Sequence, residues 1–278
     1  TSRCPLKCDH CYEWDTMSSV ENLGLEQLKT ILERLLERGV AQIQFSGGEP
    51  MVRFADLLEL IRSTGRGTDL WLLTSGYGLT AEKAEALRDA GLKGVNISLD
   101  HWEEKAHNRY RGRDDSFAWV LESAEATRRA GLALCLSLCA RREFVSRENL
   151  MRYLRLAGEL GAFAVQLLEP RKSGRYSDSD IELSSEQIGV LEDFFMTVTL
   201  EKAHDNDPLV SYPGHHQRLE GCFGAGERYL HIDSRGDLHA CPFCRGRTGN
   251  ALDADIDGAI DRLRKTGCHA FRQATAGR

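Results

Sequence analysis

Cysteine is the residue type in this chain best placed to do chemistry. The nine cysteines are Cys4, Cys8, Cys11, Cys135, Cys139, Cys222, Cys241, Cys244 and Cys268. Cys4, Cys8 and Cys11 crowd three soft thiolates onto one short segment, and softness selects iron–sulfur clusters, zinc or copper(I) over hard cations. A cubane [4Fe–4S] cluster usually takes four cysteines, so three on one loop would leave one iron open to a substrate. The alternative is structural zinc, which needs a fourth ligand, and His10 is squeezed between two of the sulfurs. Cys222, Cys241, Cys244 and Cys268 would saturate one cube and leave no open iron, or close a Cys4 zinc knot. An odd cysteine count in 278 residues, with no signal-like opening, argues against a disulfide scaffold.

These sulfurs must be held by regular elements. Apolar residues recur at helical spacing over 25–38, 54–63, 81–90, 117–130 and 146–160, while 41–45, 69–73, 94–99, 132–138 and 164–168 read as strands. Such alternation predicts right-handed βαβ units and a parallel sheet, hence an α/β fold built as a partial barrel. A strand feeding the loop of Cys4 is expected from residues upstream of Thr1. Beyond residue 181 the rhythm changes. A helix is expected over 184–200, a polar stretch over 202–213, and a hairpin of 229–233 with 237–240 around Ser234-Arg235-Gly236. A boundary near residue 205 therefore divides a barrel (1–204) from a small C-terminal module (205–278).

Cys4-x-x-x-Cys8-x-x-Cys11 followed by Tyr12 resembles the signature of the radical SAM superfamily, and Gly47-Gly48-Glu49-Pro50, closing the strand at 41–45, resembles its GGEP motif. The resemblance implies a (β/α)6 barrel whose [4Fe–4S] cluster, on Cys4, Cys8 and Cys11, binds S-adenosylmethionine (SAM) through its open iron. Electron transfer into the sulfonium would give a 5′-deoxyadenosyl radical that abstracts hydrogen from a substrate C–H bond. Gly47 and Gly48 would let backbone approach the methionine group, and Glu49 would accept from its ammonium. Thr74-Ser75-Gly76 resembles the family's Thr-Asn-Gly, with Ser75 a departure. Asn96-Ile97-Ser98-Leu99-Asp100 resembles the segment that touches the SAM carboxylate and ribose. Alternation puts Asn96, Ser98 and Asp100 on one face, unusual for a buried parallel strand. Asp100 has turn capping as its alternative role. Arg111 would reach the SAM carboxylate, or else be a surface arginine.

The strand 132–139 has leucine at every even position and Ala133, Cys135, Ser137 and Cys139 at the odd ones, small residues suited to a lumen that holds a ligand. Barrel chemistry sits at the carboxyl ends of strands, which favours Cys139 over Cys135 as a hydrogen-atom donor, as in some relatives; both are otherwise buried thiols. Glu169, at the end of the next strand, is a candidate for SAM or substrate, with Arg171 and Arg175 as partners for an anionic group. Cys222, Gly236, Cys241 and Cys244 match the opening pattern of the family's SPASM and twitch extensions. With Cys268 they imply the shorter twitch form and one auxiliary [4Fe–4S] cluster. His215-His216, Asp233, Arg218, Tyr212 and Tyr229 are candidates for substrate contacts, the histidines in a polar loop.

The net charge of −6 and the absence of a long apolar run predict no nucleic-acid or membrane partner and a cytoplasmic location. The resemblance implies modification of a ribosomally made peptide or natural product, with an electron donor such as flavodoxin or ferredoxin. Small-molecule oxidation or rearrangement is the alternative, followed by a non-enzymatic iron–sulfur redox protein and a zinc-stabilised binding protein.

Overall fold

The computed structural model describes residues 1–268 apart from 66, 202, 203, 205, 223 and 225; the end of the expected C-terminal module lies outside the described residues. Six strands pair in parallel and in chain order: β1 (Gln42–Phe45), β2 (Asp69–Thr74), β3 (Gly94–Ser98), β4 (Ala133–Cys139), β5 (Ala164–Leu168) and β6 (Leu209–Ser211). The helices between them are α1 (Leu25–Glu37), α2 (Phe54–Thr64), α3 (Ala81–Ala90), α4 (Glu104–Arg111), α5 (Ser116–Arg129), α6 (Arg147–Glu159) and α7 (Ser185–Leu200). Serine and threonine caps start several of them: the side chains of Thr80, Ser146 and Ser184 accept from the backbone N–H three residues on, satisfying otherwise orphaned donors.

The alternation of β4 sets the two faces of the sheet. Leu134, Leu136 and Leu138 are buried in the core shared with the helices, beside Val95, Ile97, Leu99, Val165 and Leu167. Register aligns the opposite face: Asn96 with Cys135 and Ala164, and Ser98 with Ser137 and Gln166. Because β4 presents only small side chains there, Asn96 Nδ2 on β3 reaches across it to donate to Gln166 Oε1 on β5 at 3.3 Å.

The sheet runs beyond residue 204. Its sixth strand falls in what reads as a polar stretch, because three residues with an exposed leucine give too little alternation to mark a strand. Pro213 then opens α8 (Pro213–Glu220), so His215 and His216 lie on a helix rather than in a loop. The expected hairpin forms from β7 (His231–Ile232) and β8 (Leu238–His239), and α9 (Ile256–Thr266) follows it. Ile256, Ala259, Ile260 and Leu263 of α9 bury against Leu238 and Ala240 and against Ile31 of α1, with Leu28 and Leu35 packed alongside. Arg34 of α1 adds bonds to the carbonyls of Ala251 (2.7 Å) and Asp253 (2.8 Å). Hairpin and α9 are thus seated on the first helix of the barrel. Among the described residues, no helix is long and apolar enough to cross a membrane.

Candidate functional site

The segment bearing Cys4, Cys8 and Cys11 is anchored to the loops after the strands. Gly48 N donates to Thr1 O and Glu49 N to Arg3 O, both at 2.8 Å. A Cβ on Gly47 would stand 2.4 Å from Thr1 O, and one on Gly48 would stand 2.2 Å from Arg3 O, so only a double glycine lets the two segments meet. Asp9 N donates to Tyr110 O, and Arg175 N to Cys11 O. The Arg175 guanidinium donates to Lys7 O at 2.9 Å and lies over Trp14, so it serves this loop rather than an anion.

Cys8 is buried, and Arg111 Nη1 donates to its sulfur at 3.6 Å. The same guanidinium pairs with Asp100 at 2.6 Å, with both side chains under a tenth exposed. Arg111 is therefore no surface arginine: it ends α4 and points inward. Asp100 also accepts from Cys139 N at 3.1 Å, which ties the ends of β3 and β4 to the cysteine loop. Burial alone would raise the Asp100 carboxyl, but the Arg111 charge beside it holds it below the usual carboxylate range. Burial pushes the Cys4 thiol up to about 12 and the Cys11 thiol to about 11, so these sulfurs ionise when a metal claims the proton's place. His10 is stacked on Tyr110 with ring centroids 4.5 Å apart, and burial lowers it to about 4.

Glu49 is buried and occupied. Its carboxylate accepts from Met51 N (3.0 Å), Thr74 Oγ1 (2.7 Å), Ser75 N (2.8 Å) and Ser75 Oγ (2.5 Å), filling the four lone-pair sites of a carboxylate. It joins the Gly47-Gly48 turn to the end of β2. Ser75, the departure from asparagine, is what supplies two of those bonds. Asn96 Oδ1, by contrast, is buried without a hydrogen-bond partner, on the face of the sheet that Gln166 shares. Glu169 accepts from Tyr212 (2.7 Å) and Arg218 (2.5 Å), with Arg171 3.5 Å away, so two of the expected substrate contacts are spent on a carboxylate of the barrel.

In the C-terminal module, the Cys244 thiol contacts those of Cys241 and Cys268, and the Cys222 thiol contacts that of Cys268 and, at 3.8 Å, the Tyr229 hydroxyl. Among the described residues, no three His, Cys, Asp or Glu side chains converge tightly enough to hold a single metal ion. A cavity of about 1510 Å³ reaches from the start of the chain and the Gly47 turn to the C-terminal cysteines. Tyr12 and Gly47 border it on one side, Gln166 and Glu169 come from the sheet, and Cys222, Cys241, Cys244 and Cys268 border it on the other.

Sequence reasoning passed over the groups that join the two sides. Glu13 is buried and paired with His231 at 3.3 Å, and Arg245 is 3.8 Å away. The Tyr12 ring meets that of Phe243, between Cys241 and Cys244, at 5.8 Å. The available signal was position alone, next to a presumed ligand. Asp233 borders the cavity with its carboxylate already paired with His239.

The family model that matches residues 1–153 is described as the radical SAM superfamily. The PqqA peptide cyclase of Gluconobacter oxydans is 31% identical over 247 residues, which cover 87% of this chain and 68% of that protein. The GTP 3′,8-cyclase of Erythrobacter litoralis is 37% identical over 147 residues, 50% of this chain and 43% of that protein. Among solved structures, native anSMEcpe with bound AdoMet superposes with a TM-score of 0.72 at 20% identity, covering 100% of this chain and 89% of that one. Streptococcus suis SuiB bound to the precursor peptide SuiA gives 0.71 at 15% identity, covering 95% of this chain and 62% of that one. These two likenesses speak to the fold.

Proposed function

Since the chain belongs to the radical SAM superfamily, and so is an enzyme whose cofactors are a [4Fe–4S] cluster and SAM, we propose that it modifies a C–H bond of a ribosomally made peptide. When bound, that pair of cofactors supplies a carbon-centred radical able to take hydrogen from an unactivated carbon. The observation that carries the reading is the cavity bordered by the double-glycine turn on one side and by four further thiols on the other. A simple SAM-cleaving barrel has no use for the second group.

Cys4, Cys8 and Cys11 would hold the first cluster. Arg111, fixed by Asp100, puts a positive charge against Cys8 and so offsets part of the negative charge of thiolate ligands. Gly47, Gly48 and Ser75 shape the wall for SAM, with Glu49 as the clamp between them. Asn96 and Ser98 offer polar atoms from β3, and the unpartnered Asn96 Oδ1 is suited to a hydroxyl or ammonium donor. Cys139 would return hydrogen to a substrate radical. Cys222, Cys241, Cys244 and Cys268 would hold an auxiliary cluster in a twitch-like module over 205–278. Membership of the radical SAM superfamily favours a cluster over zinc at the first site.

Similarity to a protein named as a peptide cyclase over 87% of the chain supports a peptide substrate. The electron donor would be a flavodoxin or ferredoxin, meeting the enzyme in the cytoplasm. The test is anaerobic reconstitution with SAM, dithionite and the short peptides encoded beside the gene. We expect 5′-deoxyadenosine together with a mass change in one peptide, both absent in Cys8→Ala. Nucleoside release with no change in any peptide would turn the reading toward a small molecule, and no release from the wild type would refute it.

A further inference from the structure

Cys139 ends β4 on its lumen face, and a thiol that gives up hydrogen there must be restored before it can act again. Two phenols lead away from it. The Tyr110 hydroxyl on α4 is hydrogen-bonded to the Cys139 thiol, and the Tyr176 hydroxyl donates to the Tyr110 hydroxyl at 3.5 Å. Tyr110 is 1% exposed, whereas Tyr176, in the turn after β5, is half-buried. The chain of groups thus runs from the lumen outward. Tyr110 is held in one orientation by the stacked His10 ring and by the Arg141 guanidinium 3.7 Å from its ring centroid.

We propose that Tyr176 and Tyr110 form a hydrogen-atom relay that restores Cys139 after it has quenched a substrate radical. The inference rests on Cys139 being the hydrogen donor. Packing alone would be met by phenylalanine at 110, since a buried hydroxyl is costly unless bonded, and this one bonds to a thiol and another phenol. S–H and phenolic O–H bonds are of similar strength, so hydrogen passes along such a chain without a steep step. Burial raises the Tyr110 phenol far above its ordinary value and the Cys139 thiol to about 12, so proton and electron travel together rather than as separated charges.

The steps balance as follows. The Cys139 S–H bond breaks as a C–H bond forms on the substrate, leaving a sulfur radical. The Tyr110 O–H bond breaks as S–H re-forms, and the Tyr176 O–H bond breaks as that of Tyr110 re-forms. The Tyr176 phenoxyl then takes one electron from a low-potential flavin or iron–sulfur protein and one proton from water.

The test uses the reconstituted holoenzyme with SAM and dithionite in D2O, without peptide, so that the SAM-derived radical itself draws on the nearest exchangeable hydrogen. We expect deuterium in the 5′-deoxyadenosine from wild type and its loss in Cys139→Ala. Tyr110→Phe should label the first equivalent and then stop. Freeze-quenched electron paramagnetic resonance should show a tyrosyl signal in wild type that disappears in Tyr110→Phe and stays confined to Tyr110 in Tyr176→Phe. Unlabelled nucleoside from wild type, or equal labelling in Cys139→Ala, removes the donor, and the relay falls with it. Cys139-dependent labelling with full turnover in both phenylalanine variants and no tyrosyl signal overturns the relay alone.

Discussion

Replacing Arg111 by methionine keeps most of the volume of the side chain and removes its charge. Asp100, 1% exposed, then keeps a buried carboxylate whose partner at 2.6 Å is gone, with only Cys139 N still donating to it at 3.1 Å. Breaking a buried ion pair by removing one partner costs about 3–5 kcal/mol, because the remaining charge is desolvated and uncompensated. Set against a typical stability of about 5–15 kcal/mol, that is enough to bring the fold near its limit. Urea denaturation of the anaerobically purified protein, followed by far-ultraviolet circular dichroism, reads the loss directly. Adding Asp100→Asn should recover most of it, since a neutral amide can still accept from Cys139 N. A loss below about 1 kcal/mol in Arg111→Met would put the pair among exposed salt bridges and refute the argument, as would a double variant that costs the sum of the single ones.

Gly48→Ala sets a methyl group 2.2 Å from Arg3 O and should displace the first cysteine loop, lowering iron content and visible absorbance after reconstitution while the far-ultraviolet spectrum is kept. Cys222→Ser should reduce bound iron from about eight to about four per chain while SAM-dependent nucleoside release persists; an unchanged iron count would refute the auxiliary site. The Asp233 carboxyl, despite desolvation, is held at about 2 instead of 3.8 by hydrogen bonds from His239 and from the N–H groups of Arg235 and Asp237. A depressed carboxyl stabilises the fold above its unfolded value and ceases to as pH falls through the folded one. Asp233→Asn should therefore flatten the loss of stability between about pH 4 and pH 2 in denaturation curves.

The parallel strands and their intervening helices were legible because each carries a clean period over five residues or more, and the odd–even split of 132–139 gave the lumen face outright. β6 was hidden by brevity. α4, with the sequence Glu104–Arg111, has too few apolar residues to mark a helix, although it buries His107, Asn108, Tyr110 and Arg111. α9 did carry a helical signal, with Ile256, Ala259, Ile260 and Leu263 on one stripe. At the site, residue types were readable but their partners were not. Nothing local tells that Glu49 spends its lone pairs on Met51, Thr74 and Ser75, or that Arg111 turns inward to Asp100, since these contacts join segments far apart in the chain. Tyr110 drew no notice for the same reason: its significance lies in what stands beside it.

The seating of hairpin and α9 against Ile31, Leu28 and Leu35 gives α1 a second duty. A chain cut after β6 would bare that stripe to water and would be expected to self-associate instead of surviving as a smaller enzyme. The placing of the second group of cysteines against the barrel accordingly rests on side-chain contact with that one helix.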